Sequence, residues 1–110
     1  MYRTNWPDAK REAAILNRKV FMLPTKYLRF IISPERGVWA SACEGINPAD
    51  GYWIELADSF PDYRTFQNVI AHELVHMWQY HYGDEGEHND IFWTFKAPLA
   101  KLGYTLEETY

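Results

Sequence analysis

The stretch from Pro61 to Gly83 constrains this chain more than any other. Apolar residues recur there three and four apart, at Phe66, Val69, Ile70, Leu74, Met77 and Trp78, which is the stripe of an amphipathic helix. Pro61 suits a first helical position and Gly83 suits the stop, so the pattern predicts a helix from Pro61 or Asp62 to Tyr82. Inside it, AHELVHMWQ (residues 71–79) carries His72, Glu73 and His76 within five consecutive positions. A helix that buries its apolar face cannot leave such groups unsatisfied. An unpartnered polar group in apolar surroundings costs roughly 2–7 kcal/mol.

Helical geometry offers a way to satisfy all three. At about 100° per residue, His72 and His76 stand about 40° apart and one turn along. Two ring nitrogens on that spacing reach one metal ion at about 2.0–2.1 Å, the usual zinc–imidazole distance. Glu73 lies about 100° from His72, beside such an ion, where a general base takes a proton from water. A divalent ion accepts both imidazole lone pairs and attracts the carboxylate, so it reverses the sign of the burial cost.

A catalytic zinc site needs a third protein ligand and an open fourth position. His81 is nine residues past His72, about 180° round the helix, and should point away. His88 lies beyond Gly83 in the acidic loop GDEGEHND (83–90), which can fold back, and it is the residue chosen. The nearby carboxylates Asp84, Glu85, Glu87 and Asp90 could replace it, as could Glu107 or Glu108 from further off.

The rest of the chain reads as an α+β domain spanning residues 1–110. Ala9, Ala13, Leu16 and Val20 mark an N-terminal helix starting near Asp8 and ending at Leu23-Pro24. Residues 28–33 (LRFIIS) read as a strand, PERG (34–37) as a turn, and VWASA (38–42) as a returning strand. The Gly, Pro, Asn and Asp content of EGINPADG (44–51) predicts a loop, and YWIELA (52–57) a third strand. A last helix, capped by Asn89 or Asp90, carries Ile91, Phe92, Phe95, Leu99 and Leu102 and stops at Gly103, with a kink or break expected at Pro98. Aromatics are 17% of the residues, so Trp39, Trp53, Phe66, Trp93 and Phe95 are assigned to the core.

Cys43 is the sole cysteine, which excludes a disulfide framework within the chain and a four-cysteine zinc ribbon. It reads as a small, partly buried apolar residue. No apolar leader or membrane-length apolar run occurs, so a cytoplasmic location and no membrane partner are expected. Charge is uneven. Residues 1–40 carry eight Lys/Arg against three Asp/Glu, net +5, and residues 41–110 carry three against twelve, net −9. Lys10, Arg11, Arg18, Lys19, Lys26 and Arg29 could form a small basic patch, with an ordinary solvated face as the plainer reading.

HELVHMWQ, a short acidic loop and then HNDIF together resemble the SprT-like zinc metallopeptidase domain, the core shared by bacterial SprT and eukaryotic Spartan. That family is similar in having HExxH followed by a second motif, H-G-x-x-F, at the start of the next helix. His88 and Phe92 fit the second motif, and Asn89 stands where the family usually has glycine. LNRKVFMLP, a strand pair and GYWIEL are similar in order to the family's helix–sheet–active-site-helix layout. The resemblance implies a zincin-like fold with an N-terminal helix, a small three-stranded sheet, the HExxH helix and a C-terminal helix. It implies His72, His76 and His88 as zinc ligands and Glu73 as the catalytic glutamate. The form expected is minimal, without the family's zinc ribbon or added DNA-coupling elements, so DNA association is weakly supported.

The expected activity is hydrolysis of a peptide bond in a protein or peptide substrate, with zinc as cofactor and Glu73 as general base. YWIELA is the candidate sheet edge for an extended substrate. Tyr80, Tyr82, His81 and Arg64 are equal candidates for stabilising the oxyanion, while Trp78 and Gln79 read as packing and capping residues. The competing readings are a non-catalytic zinc-binding scaffold, a nucleic-acid-associated adaptor using the basic half, and a different hydrolase such as a cell-wall amidase.

Overall fold

The computed structural model describes residues 1–33, 39–45 and 51–108. The turn expected at 34–37, Val38 of the second strand and most of the loop expected at 44–51 lie outside these residues. The architecture is α+β: helices pack on two small sheets around one apolar cluster. No helix among the described residues is long and apolar enough to cross a membrane.

The first helix, α1 (Trp6–Leu16), starts earlier than its apolar spacing suggests. Asn5 caps it by accepting a hydrogen bond from the Asp8 amide at 2.9 Å, and Pro7 sits in the first turn, where its missing N–H costs nothing. Ala9, Ala13 and Leu16 are buried as expected. The helix does not run on to Leu23. Residues Asn17–Phe21 widen into a π turn, closed by the Met22 amide on the Asn17 carbonyl at 2.7 Å, with Met22 at φ +52°. The Asn17 amide then brackets Leu23, donating to its carbonyl and accepting from its N–H. That local side-chain alternative ends the helix one residue before Pro24 would.

Strands β2 (Phe30–Ile32), β3 (Ala40–Glu44) and β4 (Tyr52–Leu56) form the three-stranded sheet in the order β2-β4-β3. β2 runs parallel to β4, pairing Phe30 with Ile54, and β3 runs antiparallel to it, pairing Ala42 with Ile54. The strand expected to return along β2 therefore pairs with β4 instead. β4 becomes the central strand because Ile54 and Leu56, both fully buried, carry the apolar face of the sheet. A second, two-stranded ribbon was not anticipated. It joins β1 (Tyr2–Arg3) to β5 (Ser59–Phe60) and fastens the N-terminus, helped by Thr4 bonding to Ala57 and Asp58.

α2 (Tyr63–His81) is the long helix. Asp62 caps it, accepting from the Thr65 amide at 2.7 Å, so Pro61 precedes the cap and is not the first helical residue. At the other end the Gly83 amide bonds Tyr80 and the Asp84 amide bonds Gln79. This crossed pair, with Gly83 at φ +80°, closes the helix and turns the chain back toward it.

The last helical pattern is two short helices, α3 (Asp90–Trp93) and α4 (Lys96–Lys101). Pro98 lies in the first turn of α4, where it needs no N–H. Its ring excludes a helical Thr94 carbonyl four residues back, and the break falls at Thr94–Phe95. Phe92, Phe95 and Leu99 are buried, whereas Ile91 and Leu102 are exposed, so the apolar stripe is narrower than the sequence suggested. Of the aromatics assigned to the core, Phe66 and Phe95 are buried. Trp39, Trp53 and Trp93 are only partly so.

Candidate metal centre

His72, Glu73 and His76 sit in the most deeply buried part of α2, with 6%, 6% and 8% of their surface exposed. The Schellman turn at Gly83 and the loop after it bring exposed His88 to the same spot. The Nε2 atoms of His76 and His88 lie 3.1 Å and 3.3 Å from Nε2 of His72. Two nitrogens bound to one zinc at about 2.0–2.1 Å and tetrahedral angles stand roughly 3.3–3.4 Å apart. The three residues form a group that could hold a metal ion. Among the described residues no carboxylate joins it, so Asp84, Glu85, Glu87, Asp90, Glu107 and Glu108 are not its third member.

The hydrogen-bond network decides which ring nitrogens carry protons. Nδ1 of His72 lies 2.8 Å from the backbone carbonyl of Glu107. A carbonyl only accepts, so His72 donates through Nδ1–H. Nδ1 of His76 lies 2.8 Å from Oε1 of Gln79. The Gln79 amide nitrogen donates to Oδ2 of Asp84 at 2.8 Å, the Glu87 carbonyl at 2.7 Å and Oδ1 of Asn89 at 3.2 Å, all acceptors. The orientation of that amide is thereby set, and His76 also donates through Nδ1–H. Both Nε2 atoms then carry a lone pair and no proton, and they face each other at 3.1 Å.

Protons do not relieve that opposition. Burial, then the neighbouring His76 ring, holds the pKa of His72 down at about 4. Burial likewise lowers the pKa of His76, against the opposing pull of its bond to Gln79. Two neutral imidazoles present lone pairs to one point while each outer N–H is anchored on an oxygen, as it is in a metal-ligating histidine pair. The donor set fits a divalent ion.

Phe92 explains the spacing between His88 and the helix that follows. Fully buried, its ring packs on all three imidazoles, with centroids 5.1 Å from His72, 5.2 Å from His76 and 4.6 Å from His88. It forms an apolar floor beneath the three imidazoles. Asn89 does not need the left-handed backbone that a glycine there would suggest. Its φ is −94°, and its side chain caps α3 by accepting from the Phe92 amide at 3.1 Å. The left-handed residues of the 83–90 loop are Gly83 and Gly86, at φ +80° and +78°.

Gln79, read from sequence as a packing and capping residue, is fully buried and ties His76 to the loop that carries His88. Its position three residues after His76 was the available signal. The Glu107 carbonyl carried none. It arrives on a C-terminal strap fixed by buried Leu106, by the Thr105 amide on Oδ1 of Asn68, and by the Tyr104 hydroxyl on buried Glu12. His81 points away as expected, toward the Tyr27 hydroxyl at 3.0 Å. Trp78 packs on Phe95 and Tyr82.

The expected substrate edge is displaced. YWIELA supplies β4, which is hydrogen-bonded on both sides and has no edge to offer. The outer strand that packs on α2 is β3. Of the basic residues, Arg11 is engaged by Asp8 and Tyr63, while Lys10 and Lys26 lie over the rings of Trp6 and Tyr27. No family model, no curated protein and no solved structure matches the chain.

Proposed function

We propose that this chain is a zinc-dependent metallopeptidase of the SprT-like, zincin-like kind, hydrolysing peptide bonds in protein or peptide substrates. The observation that carries the reading is the pair of bare Nε2 lone pairs on His72 and His76, 3.1 Å apart, with Glu73 on the next position of the same helix. Three imidazole donors without a thiolate suit zinc among the transition metals. Among the described residues the group has three protein donors and not a fourth, which favours a catalytic over a purely structural site.

Held by His72, His76 and His88, a zinc ion would supply Lewis-acid polarisation of the scissile carbonyl and would bring the pKa of a water towards about 7. Glu73 accepts a proton from the attacking water and returns it to the departing amine. Phe92 and the buried face of α2 exclude bulk solvent, which strengthens every charge interaction at the reacting atoms. The Glu107 carbonyl and Gln79 hold the two helix imidazoles in the ligating tautomer. An extended substrate would add to the outer edge of β3 through main-chain hydrogen bonds.

The test is Glu73→Gln. The variant should retain stoichiometric zinc and lose cleavage of fluorescent casein. Cleavage at the wild-type rate would remove Glu73 from its role. Zinc binding by a wild type that cleaves nothing would leave the non-catalytic scaffold.

A further inference from the structure

The peptidase reading leaves one group unassigned: the donor that stabilises the oxygen of the peptide carbonyl as it becomes negative. Sequence spacing leaves Arg64, His81, Tyr82 and Tyr80 level. The structure separates them. Arg64 donates through Nη1 to the Gly103 carbonyl at 2.7 Å, at the far end of α4. His81 is turned to Tyr27 on the opposite side of the helix. Tyr82 is 62% exposed and lies against Trp78.

Tyr80 is placed differently. Counting round α2 from His72, His76 falls at about 40°, Glu73 at about 100° and Tyr80 at about 80°. Tyr80 therefore lies angularly between the ligand and the base, one turn beyond His76. Helical side chains lean toward the N-terminus, so its phenol leans back over the turn that carries them. Two contacts hold the ring there. It stacks on Tyr52 of the central strand, centroids 6.0 Å apart. The Gly86 backbone also approaches it, so closely that an added Cβ would lie 2.6 Å from Cε1 and 3.1 Å from the hydroxyl oxygen. Gly86 is two residues before His88, so one aromatic ring is clamped between the sheet and the ligand-bearing loop. Burial first, and then the charge of Glu73, raise the phenol's pKa, so the hydroxyl stays protonated and able to donate at neutral pH.

We propose that the Tyr80 hydroxyl is a catalytic hydrogen-bond donor to the developing oxyanion, an assignment that rests on the peptidase reading. The water oxygen bonds to the carbonyl carbon and its proton passes to Glu73. The carbonyl π pair moves onto oxygen, which accepts a hydrogen bond from Tyr80 without taking its proton. Collapse restores the carbonyl, breaks the C–N bond and sends the proton from Glu73 to the amine. Tyr80 ends the cycle unchanged.

Tyr80→Phe keeps the ring between Tyr52 and Gly86 and deletes only the hydroxyl, so its unfolding midpoint and zinc stoichiometry should match the wild type. On a quenched fluorescent peptide taken from a casein cleavage site, kcat should fall on the order of 100-fold with KM nearly unchanged, the usual size of one lost oxyanion donor. Binding of a phosphinic peptide, which imitates the tetrahedral species, should weaken by a comparable factor, while binding of the cleaved peptide product should not change. A Y80F variant with wild-type kcat and phosphinic-peptide affinity, beside an inactive E73Q, overturns the assignment and leaves the peptidase reading standing. A zinc-loaded wild type that cleaves no peptide and binds no phosphinic peptide overturns both.

Discussion

The side-chain carbonyl oxygen of Gln79 stands 2.8 Å from Nδ1 of His76 and accepts a hydrogen bond from its N–H, while the Gln79 nitrogen reaches the backbone carbonyl of Glu87, one residue before His88. One buried amide thus sets the tautomer of His76 and ties down the loop that brings His88. Replacing Gln79 by Leu removes both connections and leaves the Glu87 carbonyl and the Asp84 carboxylate without that donor. Metal affinity should fall about 10–100-fold, the usual effect of losing such an outer partner. Competition against a chromophoric chelator measures it. Unchanged affinity would show that the loop holds His88 in place without Gln79.

His88 is exposed and belongs to a loop, so His88→Ala should cost little stability and much metal. Equilibrium dialysis should find stoichiometric zinc lost at concentrations that saturate the wild type, with the thermal midpoint of the metal-free protein nearly unchanged. A fully loaded H88A protein would assign the third position to another side chain.

The C-terminal strap makes a separate prediction. Leu106 is 2% exposed and anchors the segment that delivers the Glu107 carbonyl to His72. Leu106→Ala should destabilise by about 2–5 kcal/mol, as buried leucine truncations do, and should also weaken zinc binding. Urea unfolding of the metal-free protein gives the first quantity and chelator competition the second. Full metal affinity in a clearly destabilised variant would separate the strap from the site.

Acid should unfold the metal-free protein through the same residues. The pKa of His72 is lowered from 6.5 to about 4 in the folded chain, so between those values the unfolded chain binds a proton that the folded chain refuses. Stability is therefore greatest above pH 6.5 and declines as pH falls through that window toward 4. His76, lowered by burial too, contributes in the same direction. Urea midpoints of chelator-treated protein at several pH values should show the decline, and His72→Gln should flatten it. A midpoint that does not move over this range would mean that the imidazoles are not desolvated.

What the sequence determined was local. HELVH inside a stripe of period 3.6 placed two imidazoles and a carboxylate on one helix, and a glycine stop followed by a loop able to fold back made His88 the choice over the nearby carboxylates, because each relation spans a few residues and follows from helix geometry or turn chemistry. The tertiary structure decided what depends on residues far apart in the chain. β4 took the centre of the sheet and lost its edge, and Pro98 fell harmlessly in a first turn while the break appeared four residues earlier. The Glu107 carbonyl arrived behind His72 from 35 positions away, and the Tyr80 ring was brought against Tyr52 and the Gly86 backbone. No periodicity encodes such pairings. They are fixed by which buried faces meet, and a buried donor without a partner costs too much to leave the choice open.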